Sequence, residues 1–163
     1  MRWRGLLASV ALLGACRSEP PAPKADPAAS APLVVARGVR IEKAGDEPDV
    51  AKLVRSERER SRGEGRELVV YVGAPWCEPC QRFHAAAARG ELDEAFPNLT
   101  LLELDLDVDR DRLAAAGYTS KLVPLFALPS SDGRASDRHI EGSVKGDQAV
   151  ADITPRLRAM LAK

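Results

Sequence analysis

Aromatic residues are scarce in this chain: two tryptophans, two tyrosines and three phenylalanines among 163 residues. With 45% hydrophobic residues beside them, the composition fits one small globular domain with extensions. An excess of either charge is also missing, since 24 basic residues face 24 acidic ones. That balance argues against nucleic acid or an anionic surface as the main partner. Cysteine is sparse, three in all, which excludes a disulfide-stapled scaffold. The apolar run near the start, Gly5 to Leu13, is too short to span a bilayer as a helix. Histidine occurs only as His84 and His139. A four-ligand zinc site would therefore need nearly every cysteine and histidine present.

What is there centres on Val69 to Phe83, an apolar run that breaks at Gly73 to Pro75 and resumes with helical spacing. Leu68 to Val72 is β-branched or aromatic at nearly every position, as in a strand covered on both faces. From Cys77 the pattern is helical, with Phe83 and the alanines at 85 to 88. Pro79 falls in the first turn, where its missing N–H does no harm. Residues three apart on a helix have Cβ atoms about 5–6 Å apart, so a small adjustment lets Cys77 and Cys80 close a disulfide. Cys77 stands at the helix N-terminus, where free N–H groups and the macrodipole favour an anion. This makes it the attacking thiolate and Cys80, one turn inside and more buried, the resolving thiol. Two other readings stay open: a pair of inert core cysteines, or part of a metal site.

The element Trp76-Cys77-Glu78-Pro79-Cys80, with a hydrophobic strand before it and Val123-Pro124 downstream, resembles the thioredoxin superfamily over roughly residues 66 to 161. The resemblance implies an α/β fold, a central mixed sheet of four to five strands flanked by helices. It implies that Cys77 attacks a substrate disulfide and Cys80 resolves the mixed disulfide, with no soluble cofactor. It makes Pro124 a cis-proline whose turn exposes the Val123 backbone to an extended peptide, and Trp76 a partly exposed wall beside the sulfur. Thioredoxins bury an aspartate six positions before the first cysteine, where this chain has Tyr71. The expected replacement as proton acceptor for Cys80 is Asp105 or Glu103, acting through water. Leu125 stands where thioredoxins commonly carry threonine.

The N-terminus reads as an export signal, with Arg2 and Arg4 preceding the apolar run. Leu13-Gly14-Ala15-Cys16 resembles the lipobox of bacterial lipoproteins, which implies cleavage before Cys16 and its lipidation. The other reading is an ordinary signal cleaved after Ala15. The division expected is a signal peptide at 1–15, a lipidated Cys16 opening a Pro/Ala-rich linker over 16–32, and a thioredoxin-like domain over 33–163. The linker has no large apolar residue to offset the entropy of ordering. At about 3 Å per residue it holds a domain on the order of 50 Å from the bilayer. The expected location is the cell envelope, anchored to membrane and facing the periplasm.

Elsewhere the pattern predicts a strand over Arg37 to Lys43, a helix capped by Asp49, and a charged tail over Arg55 to Arg62. A short helical turn is expected over Glu91 to Phe96. A strand follows from Leu99, alternating as far as Val108, then a helix over Asp109 to Ala116. The strand after Pro124 turns at Ser130 to Gly133 into a hairpin partner over Asp137 to Glu141. Gly142 falls where the family has a glycine near the active site. Gly146-Asp147 opens a last helix with Val150, Ile153, Leu157 and Leu161 on one face, and Pro155 is expected to kink or split it.

The function expected is thiol–disulfide exchange with protein disulfides, in the reducing direction and fed by a membrane or periplasmic electron donor. Glu78 places negative charge near Cys77, opposing the dipole and favouring a more reducing couple. Valine before Pro124 also looks like the reductase branch of the family. Two alternatives are a copper-handling module using Cys77, Cys80 and His84, and a binding adaptor with a static disulfide. His84 itself reads either as part of that site or as an ordinary packed or surface histidine. Gln81 where a histidine would be needed excludes the c-type haem attachment pattern.

Overall fold

The computed structural model describes residues 37–162. The expected signal peptide, Cys16 and the linker lie outside the described residues. Five strands form one mixed sheet in the order β1-β3-β2-β4-β5. They are β1 Gly38–Lys43, β2 Glu67–Gly73, β3 Asn98–Asp105, β4 Leu125–Pro129 and β5 Ala135–Glu141. Strands β1, β3 and β2 run parallel, β4 runs antiparallel to β2, and β5 antiparallel to β4. Helices α1 Val50–Gly63 and α3 Leu106–Ala115 cover one face, α2 Glu78–Ala88 and α4 Ala149–Leu161 the other.

The alternation of side chains across the sheet decides which core each residue enters. Val69, Tyr71, Leu99, Leu101 and Phe126 point to the α2/α4 side and pack with Phe83, Ile153 and Leu157. Leu68, Val70, Val72, Leu102, Leu104 and Leu125 point the other way, onto Val50, Val54 and Leu113. β2 is therefore apolar at consecutive positions because both of its faces are covered. Tyr71, Phe83 and Phe126 form an aromatic knot in the first core, with ring centroids 5.0 Å apart for Tyr71–Phe126 and Phe83–Phe126.

Local signals set most element ends. Asp49 caps α1 by accepting from the Lys52 amide at 3.0 Å, and Gly65, at φ +69°, takes the chain out of the helix. Arg66, only 4% exposed, fastens three strands at their starts. Its guanidinium donates to Thr100 Oγ1 at 2.8 Å, to the Gly38 carbonyl at 2.6 Å and to the Leu99 carbonyl.

Several expected boundaries move. β3 stops at Asp105, because Asp105 caps α3 by accepting from the Asp107 amide at 2.8 Å, while Asp109 accepts from the Asp105 amide at 2.8 Å. This reciprocal cap starts the helix three residues before the expected Asp109 and leaves Val108 in its exposed first turn. Glu91 to Phe96 holds the expected single helical turn, closed by the Phe96 amide donating to the Leu92 carbonyl at 2.9 Å with both side chains buried, and it does not extend into a helix. β5 begins at Ala135, two residues early, where it pairs with Pro129 across a register shift.

The last helix is preceded by a 3-10 turn, Gly146–Gln148, and Pro155 does not split it. Pro155 and Ala151, four residues back, both lie on the exposed side, so water can satisfy the carbonyl that proline leaves unbonded. The buried stripe is Ala149, Ile153, Leu157 and Met160, with Val150 and Leu161 only partly covered. No helix among the described residues is long and apolar enough to cross a membrane.

Candidate active site

The chain leaves β2 at Gly73 and enters α2 at Glu78. Cys77 is the N-cap of α2, in extended backbone at φ −80° and ψ 102°, and its sulfur accepts from the Cys80 amide at 3.2 Å. Cys77 and Cys80 form a disulfide with Cα atoms 5.2 Å apart. Pro79 sits inside the first turn, where it costs no helical hydrogen bond. Contrary to the expected asymmetry, the two cysteines are equally buried in this oxidised state, each 3% exposed. Both belong to the apolar cluster beneath α2.

Glu78 follows Cys77 directly. Its carboxylate accepts from Arg82 Nε at 2.7 Å and from the Gly146 amide at 3.2 Å. The Arg82 bond, foremost, and then the Gly146 amide outweigh burial and hold this carboxyl below its ordinary value. Arg82 also reaches Asp147 at 2.7 Å. Glu78 is thus a fixed anion at the start of α2, partly neutralised by the arginine one turn along.

The Val123–Pro124 peptide bond is cis. β4 pairs with β2 so that Val72 faces Leu125, which brings Val123 and Pro124 to the end of the sheet where β2 delivers the cysteines. Val123 packs partly buried against the cluster that contains Cys77 and Cys80. The Pro124 carbonyl accepts from the Gly142 amide at 2.8 Å. Gly142 has φ +64°, and a Cβ there would lie 2.9 Å from Leu122 Cδ1, so glycine meets both demands.

Trp76 lies outside this packed layer, 63% exposed, with its indole N–H donating to Asp107 Oδ2 at 2.7 Å. A cavity of about 600 Å³ is bordered by Cys80 but not Cys77. Its floor is the sheet pair Tyr71 and Glu103, directly opposite each other in the β2–β3 register. His84, one turn beyond Cys80, lies over them: its ring centroid is 5.4 Å from that of Tyr71, and its Nε2 is 2.8 Å from Glu103 Oε1.

Tyr71 is fully buried and its hydroxyl has no hydrogen-bond partner. Burial, and then the nearby Glu103, push its phenol well above the ordinary range. Asp105 borders the same cavity, but its carboxylate is occupied in capping α3. Of the two expected proton acceptors, then, Glu103 is joined to a histidine beside Cys80 and Asp105 is tied to backbone. The His84–Glu103 contact is not visible in sequence, because it depends on the strand register. Among the described residues no three of Cys, His, Asp and Glu converge as metal ligands.

No family model matches the chain, and no curated protein matches it. Among solved structures it is similar to thioredoxin O1 from Arabidopsis thaliana in the oxidized state. That likeness has 17% sequence identity and a TM-score of 0.45, covering 77% of this chain and 96% of that chain. The strand order, the helices paired on each face and the cis-proline entering β4 are the chain's own features. They make this a thioredoxin-like fold with a Cys-x-x-Cys disulfide at the mouth of α2.

Proposed function

We propose that the protein is an exported, lipid-anchored thiol–disulfide oxidoreductase that reduces protein disulfides through Cys77 and Cys80. The observation that carries this reading is the disulfide between Cys77, the N-cap of α2, and Cys80 in its first turn. In the reduced form the free amides and dipole of α2 stabilise a Cys77 thiolate. That thiolate attacks a substrate disulfide, one substrate thiol departs, and a Cys77 mixed disulfide remains. Cys80 then attacks Cys77, the second substrate thiol leaves, and the protein holds the disulfide.

The surroundings favour a polypeptide substrate. Trp76, Val108, Leu122 and Val144 are the large apolar side chains that stay exposed among the described residues. Each follows the end of β2, β3 or β5 or precedes the start of β4, and the strand directions put all four at the cysteine end of the sheet. An extended segment lying there would meet the Val123 and Pro124 backbone. The ionised Glu78 at the start of α2 disfavours a second anion at Cys77, which supports the reducing direction. An electron donor in the membrane or periplasm would restore the dithiol, and Cys16 would carry the lipid.

The test is a Cys80→Ser variant expressed in its own cell envelope. Cys77 should then accumulate in mixed disulfides with envelope proteins that dissolve on treatment with reductant. Cys77→Ser should trap none. Equal capture by both variants, or by neither, contradicts the reading.

A further inference from the structure

Cys80 must lose a proton before it can attack Cys77, and the cavity beside it identifies where that proton goes. This inference rests on the dithiol cycle above. The titratable groups around the cavity come from every element that packs on it. Tyr71, from β2, holds its own proton and has no partner to pass it to. Asp105 caps α3 through the Asp107 amide. Asp109 is bound by Arg112, 2.9 Å away, and by the Asp105 amide. Lys43, at the end of β1, and Asp46 beyond it are exposed on the rim. What remains is the pair His84 and Glu103.

We propose that the His84–Glu103 pair accepts the Cys80 proton during resolution of the mixed disulfide and returns one when the protein disulfide is reduced. The geometry is specific. Cys80 and His84 are four residues apart on α2, the spacing that sets side chains side by side on one helix face. Glu103 stands under His84 because β3 pairs with β2 at Tyr71. A neutral imidazole takes the proton through water in the cavity and becomes an imidazolium in contact with the Glu103 carboxylate, so the charge created is paired as it forms. The proton balance closes. Cys80 gives up its proton, its sulfur bonds to Cys77, the Cys77–substrate bond breaks, and the departing substrate thiolate is protonated from solvent. Neither His84 nor Glu103 touches the reacting sulfurs of the substrate, so both are positioning and proton-holding groups rather than nucleophiles.

The cycle can be read with 5,5′-dithiobis(2-nitrobenzoate) and the full chain carrying Cys16→Ser, which removes the third thiol. Attack by reduced Cys77 releases one coloured thiolate, and attack by Cys80 on the resulting mixed disulfide releases a second. His84→Ala should leave the first phase unchanged and slow the second about a hundredfold near pH 6 to 7, the low end of general-base contributions. The second phase should then climb steeply with pH, and imidazole added to the buffer should restore part of its rate. Glu103→Gln, which keeps the shape of the side chain, should slow the same phase, and Tyr71→Phe should not. An unchanged second phase and pH profile in both His84→Ala and Glu103→Gln overturns the inference. Failure of the unsubstituted pair to release a second thiolate at all is a different result, and would defeat the dithiol cycle itself.

Discussion

Raising the pH should unfold this protein through its tyrosines, and the chain is suited to showing it. It contains two tyrosines, Tyr71 and Tyr118, and both are buried, at 0% and 3% exposure. Burial is the first cause that pushes each phenol above its ordinary value of 10; Glu103 adds to it for Tyr71, and Asp132 for Tyr118. The folded state therefore keeps both protons where the unfolded chain releases them. Stability that is complete below pH 10 is lost as the pH climbs above it, because there the native state binds more protons than the unfolded one. Each such proton contributes about 1.4 kcal/mol per pH unit, so two give a slope approaching 2.7 kcal/mol per unit. The loss stops where the folded phenols themselves titrate, so a domain stable by about 5 kcal/mol should open about two units above the ordinary tyrosine value. The assay is tyrosinate absorbance followed together with far-ultraviolet circular dichroism. In the folded protein tyrosinate should not appear at pH 10, and its onset should coincide with loss of helix. Tyr71→Phe should halve the slope of stability against pH above 10. A smooth tyrosinate titration centred near 10 in a protein that stays folded would refute the burial of these side chains.

Arg66→Met should lower stability by about 2–4 kcal/mol in urea unfolding. It leaves the carbonyls of Gly38 and Leu99 and the Thr100 hydroxyl without this donor, and charged hydrogen bonds contribute about 1.5–3 kcal/mol each before repacking offsets some of the loss. Replacing Leu122 and Val108 together by serine should reduce the rate with a protein disulfide about tenfold while leaving the rate with a small disulfide unchanged, since each fully buried apolar side chain is worth about 1.5–3 kcal/mol and these two contribute only part of that. A parallel loss for both substrates would show that the side chains support the site rather than meet a partner.

The cysteine site was legible because its signals are local. A β-branched run, a Gly73 to Pro75 break, Pro79 in a first turn and two cysteines three apart dictate strand, loop and helix without any long-range knowledge. Asp49 as a cap and Gly65 as an exit are of the same kind. The errors came where a local pattern was ambiguous or a contact was distant. Leu102, Leu104 and Leu106 alternate as a strand would, yet the reciprocal bonds of Asp105 and Asp109 turn the chain into a helix first. Pro155 reads as a breaker until the helix is seen to expose that side and bury Ile153 and Leu157 on the other. Arg66 gives no sequence signal beyond a charge before a strand, because its partners lie on strands far along the chain. The same holds for Glu103, whose meeting with His84 is set by a pairing register that no short stretch encodes.

The central claim is that Cys77 and Cys80 form a reversible couple in a protein that stays folded in both states. Equilibration of the full chain with dithiol–disulfide buffers of graded potential, read by thiol alkylation and circular dichroism together, tests it most directly. The account predicts one two-electron transition, native secondary structure at both ends, and a midpoint at or below about −230 mV, on the reducing side of the known range. A disulfide that opens only as the protein unfolds would contradict it, and a midpoint near about −120 mV would contradict the reducing direction.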